Sequence, residues 1–107
     1  MNASLEDLVT EIVAINKGWK AAAKLLGEDS PLAVSMRDLK SCLQVRLLRW
    51  HPEEVFLERD EEAEGEPLFS LRLKSPVQGR RDAEHLPVRV AEALLSGEEI
   101  LARAKTD

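Results

Sequence analysis

Tyrosine is absent from the sequence, and the other aromatic residues are few: Trp19, Trp50, Phe56 and Phe69. A core with this composition must consist mainly of leucine, valine, isoleucine and alanine. Proteins that stack single-stranded bases need several exposed rings, so that function is disfavoured. The single cysteine, Cys42, cannot form an internal disulfide or complete a zinc or redox motif.

Long apolar runs are also missing, since none approaches the ~18 residues of a membrane span. The first residues lack the basic start of a signal peptide. We therefore expect a cytoplasmic protein with no membrane partner. Gly-rich phosphate loops, paired metal ligands and serine-elbow motifs do not occur, and His51 and His85 are the only imidazoles. The sequence predicts no catalytic residue, no metal site, no cofactor and no enzyme.

The chain has 107 residues, enough for a single domain over 1–107, because a second core would be too small to be stable. Within it, 4–50 is predicted to be the helical part. Ser4 and Asp7 resemble a capping box, and the apolar spacing after them predicts a first helix over about 4–16. The segment 16–18 is interpreted as its stop. An alanine-rich second helix follows and ends before the turn that leads to the third.

A third helix is predicted to begin at Ser35, which can cap it, and to end at His51, because the residue before a proline leaves the helical region. Its apolar stripe consists of Met36, Leu39, Leu43, Leu47 and Trp50. Cys42 lies beside this stripe and is expected to be a small core residue. The segment 44–50 also alternates like a strand, but the longer helical stripe favours a helix.

Two β-like runs, over 55–59 and 68–74, predict a β-hairpin spanning 54–75. The following segment, 75–84, is expected to be an irregular loop. The last element, over 86–105, is predicted to be one kinked helix or two short ones, because Ser96 and Glu99 match a capping box. Its apolar face either closes the core against the first helix or pairs with its copy in a homodimer.

The segment 18–35, G-W-K-A-A-A-K-L-L-G-E-D-S-P-L-A-V-S, resembles the helix-turn-helix of bacterial LysR-type regulators. Alanines allow two helices to cross closely and glycine allows the turn between them. An extra residue or so between Gly27 and Val34 departs from that pattern. The layout is also similar to that of LOTUS-type winged helices, in which a helix ending near His-Pro leads into a hairpin. The resemblance implies an α+β fold: a small winged helix-turn-helix-like domain with three helices, a β-hairpin wing and a C-terminal helix.

Charge is unevenly distributed in this chain, whose net charge is −5. Residues 17–50 include seven basic and three acidic residues, a local balance of +4. The resemblance implies that the solvent side of the third helix enters the major groove of DNA while lysines of the second helix contact phosphates. The expected nucleic-acid-binding residues are Ser35, Arg37, Lys40, Ser41, Gln44, Lys20 and Lys24.

The hairpin has the opposite charge, with eight acidic residues and one arginine over 53–66, a balance of −7. Its acidic tip, 60–66, would be repelled by a phosphate backbone. Two functions therefore stay open. The first is a nucleic-acid-binding regulatory module with DNA or RNA as partner, which the positive segment favours. The second is a protein-interaction or adaptor module that binds a protein through the acidic hairpin.

Overall fold

A computed structural model of the chain describes residues 3–61 and 64–104. Within these ranges the fold is α+β, with four helices and a three-stranded antiparallel sheet. In chain order the elements are α1 (Leu5–Leu26), α2 (Pro31–Trp50), β1 (Val55–Asp60), β2 (Leu68–Val77), β3 (Arg80–Pro87), α3 (Val88–Leu94) and α4 (Gly97–Arg103). No helix in the described ranges is long and apolar enough to cross a membrane.

Helix α1 runs without interruption through 16–18, so the predicted stop and the separate second helix are wrong. Its start is as predicted, because the Ser4 hydroxyl accepts a hydrogen bond from the backbone N–H of Asp7. A glycine inside a helix costs about 1 kcal/mol relative to alanine. Gly18 is accommodated because α2 packs closely there: a Cβ at this position would lie 2.6 Å from Met36 Cε.

Helix α2 begins earlier than predicted, because Ser30 and not Ser35 is its cap. Ser30 Oγ accepts a hydrogen bond from the backbone N–H of Ala33 at 3.2 Å, which satisfies one free donor of the first turn. The segment 44–50 is helical, so the favoured alternative is confirmed. The helix ends at His51, as the following proline predicts.

The buried face of α2 differs from the predicted apolar stripe. Leu47 is buried, but Leu39 is 50% exposed and Trp50 is half-buried. Cys42, expected in the core, is exposed. The residues of α2 that are buried are Ala33, Lys40, Ser41, Gln44, Val45, Leu47 and Leu48. The helix is therefore turned so that several polar side chains face the interior.

Strands β1 and β2 form the predicted hairpin, and the sheet order is β1-β2-β3. The prediction of an irregular loop over 75–84 is wrong. Strand β2 continues to Val77, and the chain turns at Gln78 and Gly79, which both have positive φ. Strand β3 then returns antiparallel to β2.

The C-terminal part forms two short helices, the second of the two predicted alternatives. Ser96 and Glu99 make the predicted capping box at the start of α4. These helices pack mainly against β1, β3 and α2. Ala91 of α3 and Leu95 after it belong to the same buried cluster as residues of α1. Residue 105, the end of the predicted element, lies outside the described ranges. The core they complete includes Leu8, Val9, Ile12, Leu47, Leu48, Leu57, Leu71 and Leu86.

Arg49 of α2 ties α4 to the rest of the fold. Its Nε donates to Glu99 Oε2 at 2.8 Å, and its Nη2 donates to Glu99 Oε1 at 3.0 Å and to the carbonyl oxygen of Leu94 at 3.2 Å. The hydrogen bond from Arg49, followed by that from the backbone N–H of Ser96, lowers the pKa of Glu99 to about 2. Because both side chains are accessible to water, this bidentate pair sets the position of α4 more than it adds stability.

Candidate oxyanion-binding cleft

A cleft of about 340 Å³ lies between α1, α2 and the ends of β2 and β3. Helix α1 contributes the residues around Trp19, and α2 contributes one half-buried and one buried cation. Glu66, which precedes β2, and Arg89 of α3 also line the cleft. The basic residues that line the cleft are Lys20, Arg37, Lys40 and Arg89.

Lys40 lies at the floor of the cleft and is only 5% exposed. Its Nζ donates to Asn16 Oδ1 at 3.1 Å and lies 5.0 Å from the centre of the Trp19 ring, a distance suited to a cation–π contact. Among the residues that the structure describes, Asn16 Oδ1 is its one hydrogen-bond acceptor. An ammonium group has three N–H donors, so two of them are left for a ligand or for water.

Charges of both signs act on Lys40 in the cleft. Burial lowers the pKa of Lys40, because it removes the ammonium from water. The carboxylate of Glu84 raises this pKa, whereas the charges of Lys20 and Arg37 lower it. Three cations therefore act on the same space, and a bound anion would relieve their mutual repulsion.

Three carboxylates line the cleft, those of Glu28, Glu66 and Glu84, and only the last two are paired within the described residues. Glu84 Oε2 accepts a hydrogen bond from Arg80 Nη2 at 3.1 Å, and Glu66 Oε2 accepts one from Arg89 Nε at 2.8 Å. In contrast, neither Lys20 nor Arg37 forms an ion pair within 3–61 and 64–104. The cations on the two helices are therefore the groups available to a ligand.

Glu84 reaches the cleft because β3 is bulged at this point. Ser70 of β2 pairs with His85, whereas Arg72 pairs with Asp82, so β3 has an extra residue between these two pairs. Glu84 takes a left-handed φ of 66° in the bulge. A bulge redirects the side chains of its strand, which explains why this carboxylate approaches Lys40.

Gln44 of α2 holds the bulge in place. It is completely buried, and its Nε2 donates to the carbonyl oxygens of Ala83 and His85 at 3.0 and 3.1 Å. Its Oε1 is buried without a hydrogen-bond partner in the described part of the chain. The amide therefore joins α2 to β3 beside the cleft.

The structure brings together three of the residues predicted to bind nucleic acid, since Lys20, Arg37 and Lys40 all line the cleft. Ser35 and Lys24 are exposed but lie outside it. The predicted set is thus divided between a cleft and the outer surface of the helices.

The other two predicted residues lie in the interior. Ser41 is buried and donates its hydroxyl to the backbone carbonyl of Arg37 at 3.2 Å, and Gln44 holds the β3 bulge. The expectation that Lys40, Ser41 and Gln44 lie on an exposed face of the helix is therefore wrong. Each of them is occupied by a contact inside the fold.

The sequence does not single out Asn16, Trp19 or Glu84. A signal exists for Asn16, because it follows Ile12 by four residues and so continues the buried side of α1. A polar residue at such a position requires an internal partner. No comparable signal exists for Glu84, whose place depends on the bulge.

Within the described residues, no group of three or more histidine, cysteine, aspartate and glutamate side chains could hold a metal ion. Comparison of the chain with family models, curated proteins and solved structures finds no match.

Proposed function

We propose that this chain is a binding module, rather than an enzyme, and that its cleft holds the oxyanion of a ligand, a phosphate or a carboxylate. The observation that carries the proposal is the buried ammonium of Lys40, which has one neutral acceptor for its three donors. A buried charge is costly unless it is paired and hydrogen-bonded. The charge of Glu84 attracts the ammonium, but within the described residues only Asn16 accepts a hydrogen bond from it. An oxyanion supplies both the negative charge and the missing acceptors.

A calorimetric titration of the protein with inorganic phosphate at constant ionic strength tests this proposal. Saturable binding is expected in the wild-type protein and should be lost in Lys40→Met. Lys74→Met is the matched control, because Lys74 is an exposed lysine outside the cleft. Arg37→Met is a second variant in case Lys40→Met does not fold, and far-UV circular dichroism checks both.

The affinity should fall as the pH rises, because an oxyanion binds the protonated form of Lys40. Since the pKa of Lys40 is lowered from 10.5, the decrease should begin below the pH at which an exposed lysine titrates. A folded wild-type protein that binds neither phosphate nor acetate would refute the proposal.

The sequence predicts that the ligand is a nucleic acid, whose phosphates would supply the oxyanions. The role of a nucleic-acid-binding regulatory module remains a proposal. The exposed cations Lys20 and Lys24 support phosphate contacts. Base recognition by α2 has less support, because Ser41 and Gln44 are in the interior. Titration with duplex DNA and with single-stranded RNA at two salt concentrations tests this role, and binding that does not weaken with salt would contradict it.

The winged-helix relationship also remains a proposal. It is supported by the β1–β2 hairpin and by the turn between α1 and α2. The finding that one helix replaces the two predicted over 4–27 weakens it.

The alternative role, binding of a protein through the acidic hairpin 60–66, is a second candidate. It is supported by the exposure of Glu61, Glu64 and Glu66, while 62–63 lie outside the described ranges. Salt-sensitive binding of a basic peptide, lost when these three glutamates are replaced by glutamine, would support it. An unchanged affinity in that variant would count against it.

Self-association through 86–105 likewise stays a prediction. Leu94 and Leu101 are 40% and 76% exposed on α3 and α4. Light scattering should show a dimer that Leu101→Glu dissociates. A monomer in the wild-type protein would contradict this prediction.

A further inference from the structure

The cleft is larger than an inorganic oxyanion requires. Water occupies about 30 Å³ per molecule in the liquid, so 340 Å³ corresponds to roughly eleven water molecules. A phosphate or sulfate ion would fill only a small part of that space. The volume lies at the lower end of the range of small-molecule sites, about 300–1,000 Å³.

Three largely apolar side chains line the cleft. Trp19 of α1, Leu68 at the start of β2 and Pro87 at the end of β3 all line it, and each is half-buried. These side chains offer no acceptor to a cation and no donor to an oxyanion, apart from the indole N–H. They can instead cover the apolar part of a ligand whose charged group lies at Lys40.

The mouth of the cleft disfavours a chain of phosphates. Glu66 and His85 line the cleft, and His85 Nε2 lies 3.0 Å from Asp60 Oδ2, so the carboxylates of Glu66 and Asp60 lie in or beside it. Charges within a Debye length, about 8 Å at physiological salt, still act on one another. The neighbouring phosphates of a polymer would therefore be repelled. A single oxyanion at Lys40 would instead have three cations and one carboxylate, Glu84, acting on it.

We infer that the cleft takes a small organic ligand with one oxyanion, a phosphate monoester or a carboxylate, attached to an apolar body of about the size of one ring. The oxyanion lies at Lys40, and the apolar body lies against Leu68, Pro87 and Trp19. This inference rests on the proposed oxyanion-binding function. It adds that the ligand also has an apolar part.

Calorimetric titrations of the full chain with phenyl phosphate, benzoate, inorganic phosphate and a single-stranded DNA oligonucleotide test the inference. Because the phenyl ring would be buried in the cleft, phenyl phosphate should bind at least about tenfold tighter than inorganic phosphate. Comparison of the affinities for benzoate and phenyl phosphate shows whether the cleft prefers a carboxylate or a phosphate. The oligonucleotide should bind more weakly than phenyl phosphate.

Leu68→Ser should reduce the preference for phenyl phosphate severalfold and leave the affinity for inorganic phosphate unchanged. Leu101→Ser is the matched control, because Leu101 is an exposed leucine outside the cleft, and it should change neither affinity. The ratio of the two affinities in the wild-type protein decides the question even if Leu68→Ser does not fold.

Equal affinities for phenyl phosphate and inorganic phosphate, both lost in Lys40→Met, would overturn this inference and leave the oxyanion-binding function in place. Tightest binding of the oligonucleotide would also overturn it, in favour of nucleic acid. Failure of every oxyanion to bind would refute the proposed function itself.

Discussion

Replacement of Gln44 by methionine should destabilise the protein, because it removes the two hydrogen bonds that join α2 to the β3 bulge. Methionine is close to glutamine in helix propensity and is likewise unbranched. A buried carbonyl that loses its partner costs about 1–3 kcal/mol, and Gln44→Met removes the hydrogen bond to the buried carbonyl of Ala83. The carbonyl of His85 is only partly buried, so its loss should cost less. Removal of the unpaired Oε1 offsets about 1 kcal/mol. We expect the free energy of unfolding to fall by about 1–2 kcal/mol.

Urea unfolding followed by far-UV circular dichroism measures this loss. At an unfolding entropy of about 2.1 cal/mol/K per residue, it corresponds to a decrease in Tm of about 7 °C. Gln78→Met is the matched control, because Gln78 is the other glutamine, is exposed, and donates one hydrogen bond to Thr10 Oγ1 at 3.2 Å. It should change the free energy of unfolding by less than about 0.5 kcal/mol. An effect of Gln44→Met no larger than that of the control would refute the role given to the bulge contacts.

Three further predictions test local features of the fold. Ser30→Ala should lower the free energy of unfolding by about 1 kcal/mol because Ser30 caps α2, whereas Ser35→Ala should not lower it; urea midpoints of the two variants decide. The pKa of Glu99 is about 2 in the folded protein, below the ordinary value of 4.5 for a glutamate without partners. The contribution of Glu99 to stability is therefore present above pH 4.5 and is lost as the pH falls towards 2. The difference in urea midpoint between the wild-type protein and Glu99→Gln should shrink over that range. Gly18→Ala should raise the free energy of unfolding by about 0.5 kcal/mol, because alanine favours the helix by about 1 kcal/mol and the atom that it meets is the mobile end of Met36; a decrease of about 1 kcal/mol or more would show that Met36 cannot shift.

The features that were predictable from the sequence depend on residues a few positions apart. The cap at Ser4, the capping box of Ser96 and Glu99, and the alternation of the β1–β2 hairpin are all of this kind. Such local preferences act wherever the segment lies in the fold. The ends of several elements were predicted correctly from these preferences, and the α+β class is confirmed as well.

The features that were not predictable depend on contacts between distant segments. Gly18 is a residue typical of helix ends, but it lies inside α1, where Met36 of α2 packs against it. Pro76 and Gly79 are residues typical of loops. Pro76 nevertheless lies within β2, where the pairing with β3 is irregular, and Gly79 lies in the tight turn between these two strands. Propensity is a weak prior at such positions, and tertiary packing overrides it.

The orientation of α2 is the clearest failure of hydrophobic periodicity in this chain. Periodicity selects the stripe with the most apolar residues, which includes Leu39, and places it in the core. The structure instead buries Lys40, Ser41 and Gln44. Each of the three makes at least one hydrogen bond in the interior, which offsets part of the cost of burying a polar group. Partners supplied by another helix or strand cannot be read from the pattern of α2 alone.

The choice of partner for Lys40 separates a structural role from a binding role. Lysine is almost never fully buried unless it is paired, and a lysine buried only to join two elements is best satisfied by a carboxylate. Here the direct contact is the neutral amide of Asn16, while the nearby Glu84 is held by Arg80. An amide fixes the position of the ammonium without neutralising its charge. The charge is therefore kept at the floor of an open cleft, where an oxyanion can reach it.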